Sequence, residues 1–293
     1  TLKEDDALTL IKDEKEDTNN IYKVIEQMVF SNIKKSETPT AIIVGAQPGS
    51  GKGSLIGYSK KNFDDNNIVI ITTDDYKPFH PKAGEIAKEH PTQYCRIVEQ
   101  DSAKWTNEIL NYAIANKYNF IFECTLRNDR ILDRIRELKD NNFRVIVRGL
   151  AVSYIESLLS AYERYEKQIE ARNWGRFFNP LSYNETYKNI PNVVQEIEDS
   201  NTCDALEIYK RGEDIRNPIL IYGSYTKQYK NDKIIFEYQT AKEAIIKARN
   251  EDLQNIDNVR ERFYNIKECF ERRQTTLEEK EGLKQLEEII DNY

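Results

Sequence analysis

The sequence predicts an α/β fold, a mostly parallel sheet flanked by helices, with helical extensions at both ends. Short apolar runs at Ala41–Val44, Ile68–Ile71, Phe120–Phe122 and Phe143–Val147 alternate with stretches of helical periodicity, the pattern of successive βαβ units. The first run enters a glycine-rich turn that opens a helical pattern, a strand–turn–helix unit. From about Thr240 the composition changes: proline is absent, Gly282 is the only glycine, and Ile, Leu and Phe recur every three to four residues among Glu, Lys and Arg.

In chain order, Glu14 to about Ile33 carries Ile21, Val24, Ile25, Met28, Val29 and Ile33 at helical spacing, which predicts an amphipathic helix packed on the domain. Thr38-Pro39 ends the linker and the first strand begins. Helices are expected at Ser54–Lys61, Ser102–Asn116 and Asn128–Lys139, between the strands. A parallel sheet covered on both faces places ligands at the carboxyl ends of its strands, so the loops after Val44, Ile71 and Phe122 should converge. Ala205–Tyr209 and Pro218–Tyr222 complete the sheet or form an edge hairpin, and Lys233–Glu237 is one more candidate strand. The tail from Thr240 to Tyr293 should form two or three helices.

The 293 residues are 39% hydrophobic and 32% charged, a balance suited to a packed core under a solvated surface. No run reaches the roughly 18 apolar residues of a membrane span, and Thr1–Asp6 lacks the apolar core of a signal peptide. A cytoplasmic protein with no membrane partner is the expectation. Cys95, Cys124, Cys203 and Cys269 are widely spaced and read as reduced thiols; with two histidines in the chain, no structural zinc pattern arises. A net charge of −7 argues against a nucleic-acid backbone as the main ligand, while a local basic cleft remains compatible with it.

The segment Thr40–Ser54 reads as strand, glycine-rich turn and lysine at a helix start, which is the architecture of a phosphate-cradling loop. Gln47, Pro48, Gly49, Ser50, Gly51, Lys52, Gly53 and Ser54 are its candidate contacts to the phosphates of ATP or GTP. Against the pattern G-x-x-x-x-G-K-[S/T], Ala46 holds the first glycine position, with Gly45 just before it. Gly53 holds the hydroxyl position, and the hydroxyl follows one residue later at Ser54, where it could orient a magnesium-bound water. The Lys52-Gly53-Ser54 variant resembles the loop of adenylate kinases, where Gly then Thr follows the lysine.

Three further segments carry candidate chemistry. Thr72–Tyr76 ends the second strand, and Asp74 or Asp75, according to register, could accept a proton from a substrate hydroxyl during phosphoryl transfer; the same pair would also serve as a helix N-cap. Glu123, Thr125 and Arg127 alternate along a segment that, if extended, projects them to one side, a trio suited to a hydroxyl-rich anion or to capping a helix. Arg164, Arg172 and Arg176 lie in a cationic helical region and could neutralise charge on a moving phosphoryl group, or form a solvated face.

Taken in order, Gln47–Lys52, Asp74–Pro81, Glu123–Arg127, Glu163–Glu166 and Arg176 make the chain resemble the zeta-toxin family of P-loop kinases over roughly Thr38–Tyr222. The resemblance implies a P-loop kinase fold in residues 38–239, between an N-terminal helical segment, 1–37, and a C-terminal helical extension, 240–293. It implies transfer of the γ-phosphate of ATP or GTP, with Mg²⁺, to the 3′-hydroxyl of a nucleotide-sugar such as UDP-N-acetylglucosamine, and an antitoxin partner that blocks the nucleotide site. It assigns Asp74 as general base, Lys52 as the phosphate-binding lysine, Arg164 and Arg176 as charge-neutralising arginines, and Glu123, Thr125 and Arg127 as sugar-nucleotide contacts. The chain departs from the family at Gly53, where a magnesium-coordinating threonine is usual, near Asn107, where a carboxylate is usual, and at Cys124, often glycine. Two other readings stay open: a nucleoside or nucleotide kinase, and a nucleotide-binding switch without turnover.

Overall fold

A computed structural model describes residues 18–293, except 64–65, 128–129, 215, 227–234 and 253. Among the described residues, six strands form one sheet: β1 Thr40–Gly45, β2 Val69–Ile71, β3 Phe120–Cys124, β4 Arg144–Ala151, β5 Ala205–Lys210 and β6 Ile219–Tyr225. Their order is β2-β3-β1-β4-β5-β6; the first five are parallel and β6 runs antiparallel to β5 at the edge. The two expectations for residues 205–222 therefore both hold, since β5 extends the parallel sheet and β6 turns back as an edge hairpin. Of Lys233–Glu237, residues 233–234 lie outside the described residues, and Ile235–Glu237 form no strand.

The helices are α1 Thr18–Phe30, α2 Lys52–Ser59, α3 Ala83–Glu89, α4 Tyr94–Ile97, α5 Glu99–Ala115, α6 Arg130–Asp140, α7 Tyr154–Arg172, α8 Pro180–Ser200, α9 Ala241–Glu251, α10 Ile256–Glu271 and α11 Leu277–Asp291. The alternation of β1 sorts its side chains: Ala41 and Ile43 enter the larger core with α1, α5, α6, α8 and α9, while Ile42 and Val44 meet Leu55 and Ile56 of α2 on the opposite face. Both faces are covered, and this explains the unbroken apolar runs in the sequence.

The C-terminal tail divides in two. Ala241, Ala244, Ile245 and Ala248 of α9 share the larger core with the sheet, so this helix belongs to the body of the fold and not to a separate extension beginning at residue 240. Its alanines, short enough to let a helix lie close on strands, gave no sign of this in the linear pattern. The following pair, α10 and α11, packs Val259, Phe263, Ile266, Phe270, Leu286 and Ile290 against Ile155, Leu158, Leu159, Tyr162 and Tyr165 of α7. The N-terminal helix buries Ile21 and Ile25 in the larger core, as its periodicity predicts.

Candidate active site

The loop between β1 and α2 takes its shape from two glycines in the left-handed region, Gly49 at φ 72° and Gly51 at φ 95°. A side chain at Gly49 would also strike the Ser157 carbonyl of α7, 1.9 Å from where a Cβ would stand. Lys52 is the first residue of α2; its Nζ turns back to the carbonyls of Ala46 at 3.0 Å and Gln47 at 3.2 Å and stands 3.6 Å from Glu123 Oε1. Burial pushes the Lys52 ammonium below its ordinary pKa, against the pull of Glu123. Ser50 Oγ is buried and has no hydrogen-bond partner among the described residues, and a Cβ at Gly53 would meet nothing within 4 Å.

The loops after β1, β2 and β3 converge as predicted, on a cleft of about 950 Å³. It is lined by Lys52, Thr72, Thr73, Asp74, Asn107, Glu123, Thr125, Arg127, Arg164 and Arg176, among others. After β2 the chain tightens into a 3₁₀ turn, Thr73–Phe79, which brings Asp74 and Lys77 onto one side. Of the Asp74/Asp75 pair, Asp74 is the one that lines the cleft, placed there by the 3₁₀ turn and not by strand register: Arg176 Nη1 donates to its Oδ1 and Oδ2 at 3.1 and 2.8 Å, and Lys77 Nζ donates to Oδ1 at 2.8 Å. Burial opposes its ionisation, but Arg176 and Lys77 outweigh burial and hold the carboxyl well below the usual carboxylate range. The side chain is 44% exposed to the cleft, so water there screens part of this effect.

Arg176 reaches Asp74 because α7 stops at Asn173, φ 61°, and the returning segment is pinned by the Arg176 N–H donating to Gln168 Oε1 at 2.9 Å. Arg164 sits on α7 itself, and its guanidinium lies 5.9 Å from the Phe178 ring; burial lowers its pKa while Asp74 opposes that shift. Arg172 takes no part in the cleft lining and stacks on Trp174, 3.5 Å from its ring centre.

Two sequence expectations are corrected here. The extended alternation of Glu123, Thr125 and Arg127 breaks at Leu126, whose φ of 50° turns the chain and tucks the leucine, 2% exposed, under Gly45. All three polar residues still line the cleft, but through a turn and not along one strand face. Gln47 is fully buried behind the loop: its Nε2 donates to Val152 O and Ser157 Oγ, and its Oε1 accepts from Arg249 Nη2. Its side chain supports the loop from behind and takes no part in the cleft lining.

The family model described as Zeta toxin matches residues 26–219. The chain belongs to the Zeta toxin family. It is 26% identical over 200 residues to Toxin zeta of Streptococcus agalactiae, covering 68% of this chain and 69% of that protein. To Toxin PezT of Streptococcus pneumoniae it is 26% identical over 180 residues, covering 61% and 71%. Among solved structures, a chain of the PezAT chromosomal toxin–antitoxin system of Streptococcus pneumoniae superposes with a TM-score of 0.67 at 19% identity, covering 86% of this chain and 98% of that one. A chain of the AvrRxo1-ORF1:ORF2 complex with ATP superposes at 0.53 with 10% identity, covering 92% and 86%, a likeness of fold alone.

Several residues of this family member's site were missed in the sequence. Lys77, 2% exposed, pairs with both Asp74 and Glu99 Oε2 at 2.9 Å; its three-residue spacing from Asp74 on a helical turn was the available signal. Arg211, Tyr183 and Arg249 meet the loop from distant parts of the chain, and no local pattern announces them. Among the described residues no three His, Cys, Asp or Glu side chains cluster to hold a metal, and no helix is long and apolar enough to cross a membrane.

Proposed function

We propose that this chain is a kinase that transfers the γ-phosphoryl group of ATP or GTP to a hydroxyl of a nucleotide-sugar such as UDP-N-acetylglucosamine, acting as the toxin of a toxin–antitoxin pair. The observation that carries this reading is the meeting of Lys52, Asp74, Arg164 and Arg176 around one cleft. In this reading the loop from Gln47 to Ser54 cradles the phosphates with its amides, and the unpartnered Ser50 Oγ is available to them. Lys52 exchanges its contacts with loop carbonyls for phosphate oxygens. Asp74, kept ionised by Arg176 and Lys77, takes the proton of the acceptor hydroxyl, and Arg164 and Arg176 neutralise charge around the moving group.

Magnesium, when bound, would neutralise charge on the phosphates, with Ser54 as its protein contact through a water. The space around Gly53 and the half-buried Ser54 beside it are compatible with that arrangement. The acceptor side supports an anionic substrate: Arg127 and Arg130 line the cleft and form no ion pair among the described residues. Glu123 and Thr125 would meet sugar hydroxyls. An antitoxin belongs to the proposal because the PezAT structure that this fold resembles is of a toxin–antitoxin system.

The test is mass-spectrometric detection of product after incubation with Mg–ATP and a panel of UDP-sugars, nucleosides and nucleotides. A UDP-sugar one phosphate heavier is expected with the wild type and is lost in Lys52→Ala. Asp74→Asn is expected to abolish transfer while keeping ATP affinity within about threefold, because the carboxylate acts on the acceptor. Bound ATP with no phosphorylated product in the panel would overturn the nucleotide-sugar assignment.

A further inference from the structure

The phosphate loop is held from outside by a chain of charges that ends in the C-terminal helices. Each loop carbonyl from Ala46 to Gly51 accepts a hydrogen bond. Lys52 Nζ serves Ala46 and Gln47, the Tyr183 hydroxyl donates to Pro48 O at 2.8 Å, and Ser54 N donates to Gly51 O at 3.0 Å. The two remaining carbonyls go to a single side chain: Arg211 Nη2 donates to Gly49 O at 2.7 Å and its Nε to Ser50 O at 3.0 Å. In a planar trans peptide the C=O and the following N–H point in opposite directions. Fixing Ser50 O toward Arg211 therefore aims the Gly51 N–H toward the cradle.

Arg211 is itself held. Its Nη1 donates to Glu156 Oε1 at 2.5 Å, and the other oxygen of Glu156 accepts from Arg262 Nη1. Arg262, on α10, also forms a two-pronged pair with Glu163, Nε to Oε1 at 2.6 Å and Nη2 to Oε2 at 3.0 Å. The carboxylate at the centre of the chain is only 12% exposed and Arg262 19%, so solvent and salt screen these pairs less than they would at the surface. Glu156 and Glu163 both belong to α7, the helix that carries Arg164. One network thus touches the loop, the arginine-bearing helix and the C-terminal pair.

We propose that Arg211 is a positioning residue for the phosphate loop, and that Glu156 and Arg262 couple it to α10, so that nucleotide affinity depends on a helix outside the family-matched residues 26–219. This inference rests on the nucleotide-binding reading above. Arg211 touches loop carbonyls and not phosphate, and it acts by orienting amides. Arg262 acts one step further back, by holding Glu156 where Arg211 can meet it.

The test is titration calorimetry of the full chain with the magnesium complex of β,γ-imido-ATP, with thermal melts confirming that each variant is folded. Arg211→Gln is expected to weaken binding about tenfold and Arg262→Gln about fivefold, the range of an ordinary coupling between sites. Arg211→Lys should recover part of the loss, because an ammonium can still meet one carbonyl and Glu156. The double variant should bind no more weakly than Arg211→Gln alone, since both changes cut the same chain. Wild-type affinity in folded Arg211→Gln and Arg262→Gln, or additive losses in the double variant, would overturn the coupling. If Arg211→Gln does not fold, Arg262→Gln decides the matter by its affinity alone. Lys52→Ala separates the two levels of argument. Failure of the wild type to bind sinks the nucleotide reading itself, whereas wild-type binding lost in Lys52→Ala but unchanged in both arginine variants sinks only the positioning role.

Discussion

Asp74 shows how one side chain's environment constrains its chemistry. A carboxylate held well below its ordinary pKa is a weak base, but it is ionised across the whole neutral range, the state that the proposed general base requires, and an acceptor hydroxyl becomes strongly acidic only as its oxygen bonds to the transferring phosphorus. Because the folded pKa is depressed, the pairing contributes stability above the unfolded pKa of roughly 4 and loses it as pH falls through the lower folded value. The same direction sets the rate: the acid limb of kcat/KM is expected below about pH 4 if Asp74 is the base. Lys77→Met removes one of the two cations at Asp74, so its acid limb should move to higher pH while the alkaline side stays in place. Identical acid limbs in the two proteins, measured by initial rates in constant-ionic-strength buffers, would show that Lys77 does not set this carboxylate.

In the tail, α9 and the α10–α11 pair act differently despite similar composition. Ile245 of α9 is 1% exposed within the main core, and Ile245→Ala should cost about 2–5 kcal/mol by removing buried methyl groups and leaving a cavity. A chain ending at residue 239 loses the whole helix and with it the support of Arg249 for Gln47, and it is expected not to fold cooperatively. A chain ending at residue 254 keeps α9 but bares the face of α7 that carries Ile155, Leu158, Leu159, Tyr162 and Tyr165. That second truncation should retain the sheet's circular dichroism signature while melting at a lower temperature and self-associating. Equal melting temperatures for the two truncations would contradict this division of the tail.

Taken whole, the molecule is acidic, with a net charge of −7, yet among the described residues the cleft lining holds eight Lys and Arg side chains, Lys52, Lys77, Arg96, Arg127, Arg130, Arg134, Arg164 and Arg176, against four carboxylates. A cationic concavity in an acidic surface concentrates field lines at its mouth, draws anions in and repels them elsewhere. Association with a nucleotide should therefore slow as ionic strength rises from about 0.05 to about 0.5 M, where screening shortens to a few ångströms. Stopped-flow traces with a fluorescent ATP analogue would measure this, and a salt-independent on-rate would mean that the cleft charges are balanced before the ligand arrives. The same charge distribution bears on the expectation from net charge: the average over the chain argued against a nucleic-acid backbone as the main ligand but left room for a local basic cleft, and positive charge is concentrated in the cleft lining.

Strand runs, the glycine-rich loop, the order of the motifs and the convergence of the strand-end loops were all legible in the sequence, because each is encoded by neighbours along the chain. Periodicity reports burial within one element, and a loop that needs Gly49 and Gly51 in the left-handed region declares itself by its glycines. Family membership followed from the same local signals. Tertiary structure alone decided that Leu126 turns the Glu123–Arg127 segment, that Gln47 faces inward, and that α9 is core. It alone brought Arg211, Tyr183 and Arg249 to the phosphate loop, across sequence separations of 135 to 202 residues. Hydrogen-bond partners so far apart leave no spacing to read. Their meeting is set by which faces of the sheet and helices bury together, and that is a property of the packed chain and not of any stretch of it.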